Sequence, residues 1–492
     1  MSKKFLRQAL LCVTAILMLF GAVGCSDEKF SADPSHRLDF SVNEIAFDTL
    51  ITTYSSRTKT FSIYNRNKEG IHLRRVALGQ GAGSPFRANV DGQYLYEGVG
   101  EDFEILGNDS IIVRVEVTPE VTPGMDVQEL TDNLLFTLES GVTQTLTLRA
   151  GVMDALFIDD LVVCADTIFS STKPIVVQSG IHVDTCATLT LAAGTTLMFH
   201  HGACLEVDGT LRILGTVEQP VVLRSDQTEH MFADLYYDNT PNRWRGVFLN
   251  SSSHDNVIQN CDLHAASNGI IAVSDSVMHP ILTLENSIIH NVGGTGVSLF
   301  SGKSYIANTQ ISNSMGITLN IHGGWHDVVH CTLAQFYALS ATRGPALYLR
   351  GQSTAPTDSL QRPHLAHAHF INSVITGYGS DVIEGDLEET DEQPCDYLFR
   401  NCYLNTVESA ENNRFQNVAY DTDEQPTPRE KNFKRFDTDL YLYDFTPVVN
   451  SRIRQLADTL YALPFDRLGR SRTLDEAPDA GCYEYVEQQP ET

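Results

Sequence analysis

A four-residue block recurs between residues 260 and 404, reading NCDL, NSII, NTQI, HCTL, NSVI and NCYL. Each block pairs a small or thiol-bearing residue with an aliphatic one two positions later, and Leu263, Ile289, Ile311, Leu333, Ile375 and Leu404 mark the register. Three of the five steps between these anchors fall within a few residues of 22, the length of one turn of a parallel β-solenoid. The 42-residue step from Leu333 to Ile375 corresponds to two turns, or to one turn with a long loop. Side chains alternate along a strand, so Cys261, Ser287, Thr309, Cys331, Ser373 and Cys402 are expected inside the rod beside the anchors. Asn291 and Asn313, two positions beyond their anchors, suit a tight turn whose backbone groups a buried amide can satisfy.

A second strand follows each anchor: NGIIAV from 268, TGVSLF from 295, MGITLN from 315 and PALYLR from 345, with glycines opening the corner. Upstream, short alternating strands punctuated by Gly180, Gly194, Gly202, Gly209 and Gly215 read as the first coils. Residues 38–152 have another texture. Strands near FDTLITTY, KTFSIYNR, HLRRVAL, DSIIVRVEVTP, NLLFTLE and TQTLTLRA are separated by turn residues at the intervals of a β-sandwich.

The N-terminus carries Lys3, Lys4 and Arg7, then the apolar run ALLCVTAILMLF, then small residues ending in AVGC. This reads as a cleaved export signal, too short for a membrane span. AVGC resembles a bacterial lipobox, which implies acylation of Cys25 and attachment to a membrane without crossing it. The following Ser26, Asp27 and Glu28 are similar to the export tag of surface lipoproteins of the Bacteroidetes. A solvated acidic linker has the same composition, so outward display and periplasmic retention both remain open, with surface display expected. The eight cysteines beyond Cys25 are expected as buried thiols; Cys164 with Cys186, one coil apart, is the best-placed pair for a bridge.

With 62 Asp and Glu against 34 Lys and Arg, the net charge of −28 disfavours nucleic acid and anionic membrane surfaces as electrostatic partners. No CxxC pair or histidine cluster has zinc-site spacing, and neither a metal nor a cofactor is expected. Candidate chemistry lies on outward positions. Alternation puts Asn260, Asp262 and His264 on one external face, with His290 of the next coil stacked on His264. An aspartate orienting a histidine is the pairing general acid–base catalysis uses, although exposed polar residues on a solenoid face also serve only solvation. The loop SDQTEHMFADLYYDNTPNRWRG carries Tyr236, Tyr237 and Trp244 among Asp234, Asp238, Arg243 and Arg245. Aromatic faces with flanking charges suit a sugar chain, whereas a Trp244 opening an inward strand would leave only the tyrosines free. His322, Trp325 and His326 form a weaker patch of the same kind. The insertions EGDLEETDEQPC and DTDEQPTPREK read as solvated loops.

The coils of the NSII plus TGVSLF type, with RWRGVFLNSSSHDNVIQNCDLHAASNGI, resemble the right-handed parallel β-helix repeat family, which includes pectin and alginate lyases, polygalacturonases and non-enzymatic surface proteins. The tail FDRLGRSRTLDEAPDAGCYEY resembles the closing segment of secreted members, with Asp466, Gly469, Arg472, Asp479, Gly481 and Glu484 in recurring places, and implies a cover for the open C-terminal end. IHGGWHD departs from the GHG turn of polygalacturonases by an inserted glycine and lacks a paired DD. The strand order in 38–152 resembles the immunoglobulin-like module of the abnormal-spindle and hydin type.

The expected chain is therefore all-β. A lipoprotein signal peptide (1–24) and an acidic linker after acylated Cys25 (25–37) precede an immunoglobulin-like β-sandwich (38–152). A parallel β-helix (155–415) and a capping extension (416–492) follow. The expected role is non-catalytic binding of a polysaccharide or glycoprotein by an outer-membrane-anchored protein. The alternatives are a polysaccharide lyase or glycoside hydrolase with a non-standard site, and a structural envelope protein.

Overall fold

The computed structural model describes residues 29–120, 127–232, 235–352, 364–387, 394–411, 413–421, 429–473 and 476–487. The leader, Cys25 and the middle of each acidic insertion, 388–393 and 422–428, lie outside these residues. The chain forms two compact units, Met1–Met153 and Asp154–Thr492.

The first unit is a sandwich of two sheets. One runs in the order Phe30–Ser31, Gly70–Leu78, Gln128–Leu138, Thr143–Met153, Glu44–Ile51, with Val99–Ile105 added to Gly70–Leu78. The other runs Leu38–Phe40, Lys59–Asn65, Ser110–Val117, Phe86–Val90, Gln93–Tyr94. Strict alternation in SIIVRVEV turns Ile111, Val113, Val115 and Val117 onto the shared core with Phe61, Leu134, Phe136 and Leu148. A hydrophobic residue at every second position is what a sheet with one wet face requires.

The second unit is a parallel β-helix with three faces. The first face stacks Val221–Ser225, Cys261–His264, Ile288–Val292, Gln310–Ser314, Thr332–Gln335, Val374–Gly377 and Tyr403–Leu404. The second stacks Gly246–Leu249, Ile270–Val273, Val297–Phe300, Leu319–His322 and Leu347–Arg350. The third stacks Asn256–Gln259, Pro280–Glu285, Lys303–Ala307, Gly324–Val329, Leu365–Ile371 and Tyr397–Arg400. Leu333 pairs directly with Ile375, so the 42-residue step is one turn with a long loop.

The recurring blocks occupy the corner between the third and first faces. Their leading residues Asn260, Asn286, Asn308, His330, Asn372 and Asn401 all take left-handed φ, between 47° and 54°. Asparagine tolerates this conformation best among residues with a Cβ. The small residues that follow point inward, as expected, and couple the coils: Cys261 N donates to Ser287 Oγ at 3.1 Å, and Cys331 N to Ser373 Oγ at 3.1 Å. Asn291 and Asn313 do mark bends, with φ of 52° and 54°. Their amides differ from expectation, because neither side-chain atom of Asn291, nor Oδ1 of Asn313, has a hydrogen-bond partner among the described residues.

Two expectations are corrected here. The extension does not simply plug the end of the rod; its described part runs back along the outside of the first face. Tyr483 Oη donates to Gln310 Oε1 at 2.6 Å, Cys482 N to Thr332 Oγ1 at 3.1 Å and Gly481 N to Asn372 O at 2.8 Å. Phe433, Phe445, Ile453 and Tyr483 bury Ala334, Phe336, Val374 and Tyr403 in a second apolar layer. These four covered outward residues are apolar, so leaving them wet would forfeit their burial. Secondly, Cys164 and Cys186 are both exposed and unbridged.

Candidate functional site

Three places gather chemistry-bearing side chains. The first lies on the first face, where the covering extension gives way to the loop from Ser225 to Gly246. Asp262 and His264 leave the strand Cys261–His264 on the outer side, while Cys261 and Leu263 face inward. Asn260 does not join them, because it turns the corner and its Nδ2 donates to Gly215 O at 3.1 Å. His264 Nδ1 meets Asp262 Oδ1 at 2.8 Å, and its Nε2 meets Asp238 Oδ2 at 2.7 Å. Asp238 also pairs with Arg224 at 2.7 Å. His290 Nε2 contacts the same Asp262 oxygen at 3.2 Å.

Burial alone would disfavour the His264 imidazolium, but the charges of Asp238 and Asp262 and the hydrogen bonds to both overcome it and raise its pKa to about 10. For Asp262, burial opposes ionisation, and the charge of His264 with hydrogen bonds from His264 and His290 holds the carboxyl well below its usual range. At neutral pH His264 is thus a cation with both nitrogens engaged, which leaves it no lone pair to serve as a base. The pairing expected from the sequence exists, but Asp238 closes it. His290 keeps Nδ1 without a hydrogen bond among the described residues and is the ring in this cluster able to reach a ligand.

The second place is the loop itself. Trp244 does not offer its ring to a ligand: it is 1% exposed, stacks on Phe199 at 4.2 Å and 7°, and donates Nε1–H to His264 O at 2.8 Å. It opens the inward strand instead. Arg243 lies over Tyr237 at 5.0 Å, and Arg245 over Phe248 at 5.2 Å, so both guanidinium groups are already held within the fold. Tyr236 remains exposed at 45%, tilted against His230 at 34°, in the same short hairpin as the exposed Phe232; Asp234 lies outside the described residues.

The third place was not foreseen. Along the third face, Arg212, Val257, Thr283, Tyr305 and Asp327 are register partners in successive coils and form one outward column. With Lys303 they line a groove of about 580 Å³. Four steps of strand spacing make it about 19 Å long. Burial, then the negative charge of Glu285, pushes the Tyr305 phenol up to about 12, so it stays a hydrogen-bond donor. Beyond Asp327 the column continues to His369, and the neighbouring one runs from Lys303 through Trp325 to His367. Trp325 lies flat on His367, with ring centroids 4.3 Å apart and planes 7° apart.

The expected patch of His322, Trp325 and His326 is split by the corner at Gly323 and Gly324, whose φ values are 63° and 96°. His322 stays on the second face between Phe300 and Tyr348. His326 turns inward, fully buried, bonding Ser304 Oγ at 2.8 Å and Gly323 O at 2.7 Å. Only Trp325 reaches the groove side.

No protein-family model matches the chain, and no curated protein does. Among solved structures it is similar to the E. coli chaperone DraB, at 12% identity and a TM-score of 0.17, over 24% of this chain and 55% of that one. It is similar to the Salmonella enterica SafA pilin in complex with the SafB chaperone, at 10% identity and a TM-score of 0.18, over 26% and 58%. It is similar also to the PapD-like domain 7 of human CEP192, at 13% identity and a TM-score of 0.17, over 27% and 95%. The chain thus spans just over half the length of the two chaperone structures. Likenesses this partial carry nothing about the site.

Proposed function

We propose that this chain is an envelope lipoprotein, anchored through Cys25 at the outer membrane and facing outward, whose β-helix binds a glycan chain along the third face without cleaving it. The observation that carries the reading is the straight column from Arg212 to Asp327, which offers an aromatic ring and both signs of charge in one groove. A ring such as Tyr305 can cover the apolar face of a sugar while Arg212, Lys303 and Asp327 bond its hydroxyls. Arg212 and Lys303 are matched in the groove by Asp255 and Asp327, so the groove is close to neutral within a chain whose net charge is −28. The closed Asp238–His264–Asp262 pairing supports binding over catalysis, since the foremost candidate base is protonated and occupied. A glycoside-cleaving alternative rests on His290, oriented by Asp262 with one nitrogen left for a ligand.

The test is a panel of plant, host and bacterial polysaccharides in affinity electrophoresis, with Tyr305→Ala and Tyr236→Ala compared. Retardation lost in Tyr305→Ala and kept in Tyr236→Ala supports the groove. The reverse pattern moves the site to the loop, and new reducing ends that vanish with His290→Ala replace binding by cleavage.

A further inference from the structure

We propose that the third face carries a site for a divalent transition-metal ion, held by His367, His369 and Asp396 where the groove ends. In the strand Leu365–Ile371, Ala368 and Phe370 are fully buried, so His367 and His369 leave the rod on the same side. Their ring centroids lie 3.6 Å apart. From the next coil Asp396 places Oδ2 3.4 Å from His367 Nδ1 and 3.2 Å from His369 Nε2. Three donor atoms of these residues lie within 4.8 Å of one another. Metal–ligand bonds of about 2.0–2.1 Å set at tetrahedral angles put neighbouring donors about 3.3 Å apart. The two measured spacings bracket that value.

The surroundings supply a second, independent indication. His367 Nε2 meets Asp327 Oδ1 at 2.9 Å, which leaves Nδ1 directed to the site. A carboxylate on the far nitrogen is how metal-bound histidines are commonly oriented. Trp325, flat on the same ring, restricts its rotation. Asp262, His264 and His290 satisfy the same distance condition but not the chemistry. Both nitrogens of His264 are held by carboxylates, so an ion there would have to break a buried pair.

Two imidazoles and one carboxylate suit Zn²⁺, Co²⁺, Ni²⁺, Cu²⁺ or Fe²⁺ rather than Ca²⁺ or Mg²⁺, which prefer oxygen ligands. Three protein ligands leave a coordination position open for a further ligand. The ion site stands on its own residues, while completion of its shell by a bound glycan rests on the reading above.

The experiment titrates the chelator-treated protein with Zn²⁺ by calorimetry and with Co²⁺ by visible absorption, with no glycan present. One equivalent should bind per chain. His369→Gln or Asp396→Asn should abolish it, and Asp327→Asn should weaken it about 10- to 100-fold, as loss of an orienting carboxylate does. His290→Gln should leave it unchanged, and circular dichroism should show every variant folded. Absence of saturable binding, retention of the equivalent in both ligand variants, or its loss in His290→Gln alone would each overturn the proposal. Failure of glycan binding would not, because no glycan enters the titration.

Discussion

Arg472 donates a hydrogen bond through its guanidinium to Oδ1 of Asn308 at 2.8 Å, joining the C-terminal segment to a coil corner 164 residues earlier. The same fully buried side chain pairs with Glu484 and donates to Gly481 O at 3.0 Å. Arg472→Met would strand Asn308 Oδ1 and Gly481 O and take the cation from Glu484, whose carboxyl pKa burial already pushes up to about 8, and should cost about 3–5 kcal/mol. Urea unfolding of the variant should show that loss, accompanied by early tryptic release of the segment. Lys434→Ala, which breaks a pair with Asp444 that is half exposed at the lysine, should cost no more than about 1 kcal/mol. Equal losses in the two variants would mean that Arg472 does not fasten the segment.

Trp244 and Tyr236 sit eight residues apart in one loop with opposite roles. Trp244→Ala removes a ring that is 1% exposed and stacked on Phe199, and should cost about 3–5 kcal/mol in urea unfolding. Tyr236→Ala, at a ring that is 45% exposed, should change stability by less than about 0.5 kcal/mol. A Trp244→Ala variant of unchanged stability would contradict the buried placement.

The charges around His264 give a pH window. Its folded pKa, about 10, stands above the ordinary 6.5, so its contribution is whole below pH 6.5 and disappears as pH rises through about 10. Asp262 and Asp238 are shifted the other way, held below 3.8, so theirs is whole above that value and disappears in acid. Both are complete between pH 3.8 and 6.5. The urea midpoint should therefore fall from pH 6.5 toward 10, and His264→Gln should flatten that alkaline decline. An unchanged slope in the variant would remove His264 as its source.

The repeat was legible because one turn of the rod returns the same corner to the same sequence position: the asparagines, the small inward residues and the aliphatic anchors are each set by a local need. Asp238 reaching His264 was not, since a loop that leaves and rejoins the rod has no period. The third face escaped notice for another reason. Its strands lack a fixed polar marker, and the column from Arg212 to Asp327 appears only once the register is known. The HAH spacing of His367 and His369 did carry a signal, two rings on one side of a strand, but Asp396 comes from the following coil, across the insertion.

The corner asparagines separate backbone conformation from side-chain bonding. Asn417 has φ of 53° and is exposed, so only the left-handed conformation is at stake there. Asn417→Ala should cost about 1–2 kcal/mol and Asn417→Gly close to nothing. Asn372 has φ of 54° but is fully buried, with Oδ1 accepting from Asp458 N at 2.8 Å and Nδ2 donating to Asp458 O at 3.1 Å. Its Nδ2 also lies 3.0 Å from His330 Nε2, which makes that nitrogen the acceptor and leaves Nδ1–H for Gly481 O at 3.3 Å. Burial, with the nearby Arg472 charge, holds the His330 pKa well below its usual value, in keeping with a neutral ring. Asn372→Gly keeps the conformation but strands these groups, each at about 1–3 kcal/mol. Measured by urea unfolding, glycine should therefore be tolerated at 417 and not at 372; equal tolerance would show that conformation alone selects asparagine at the corners.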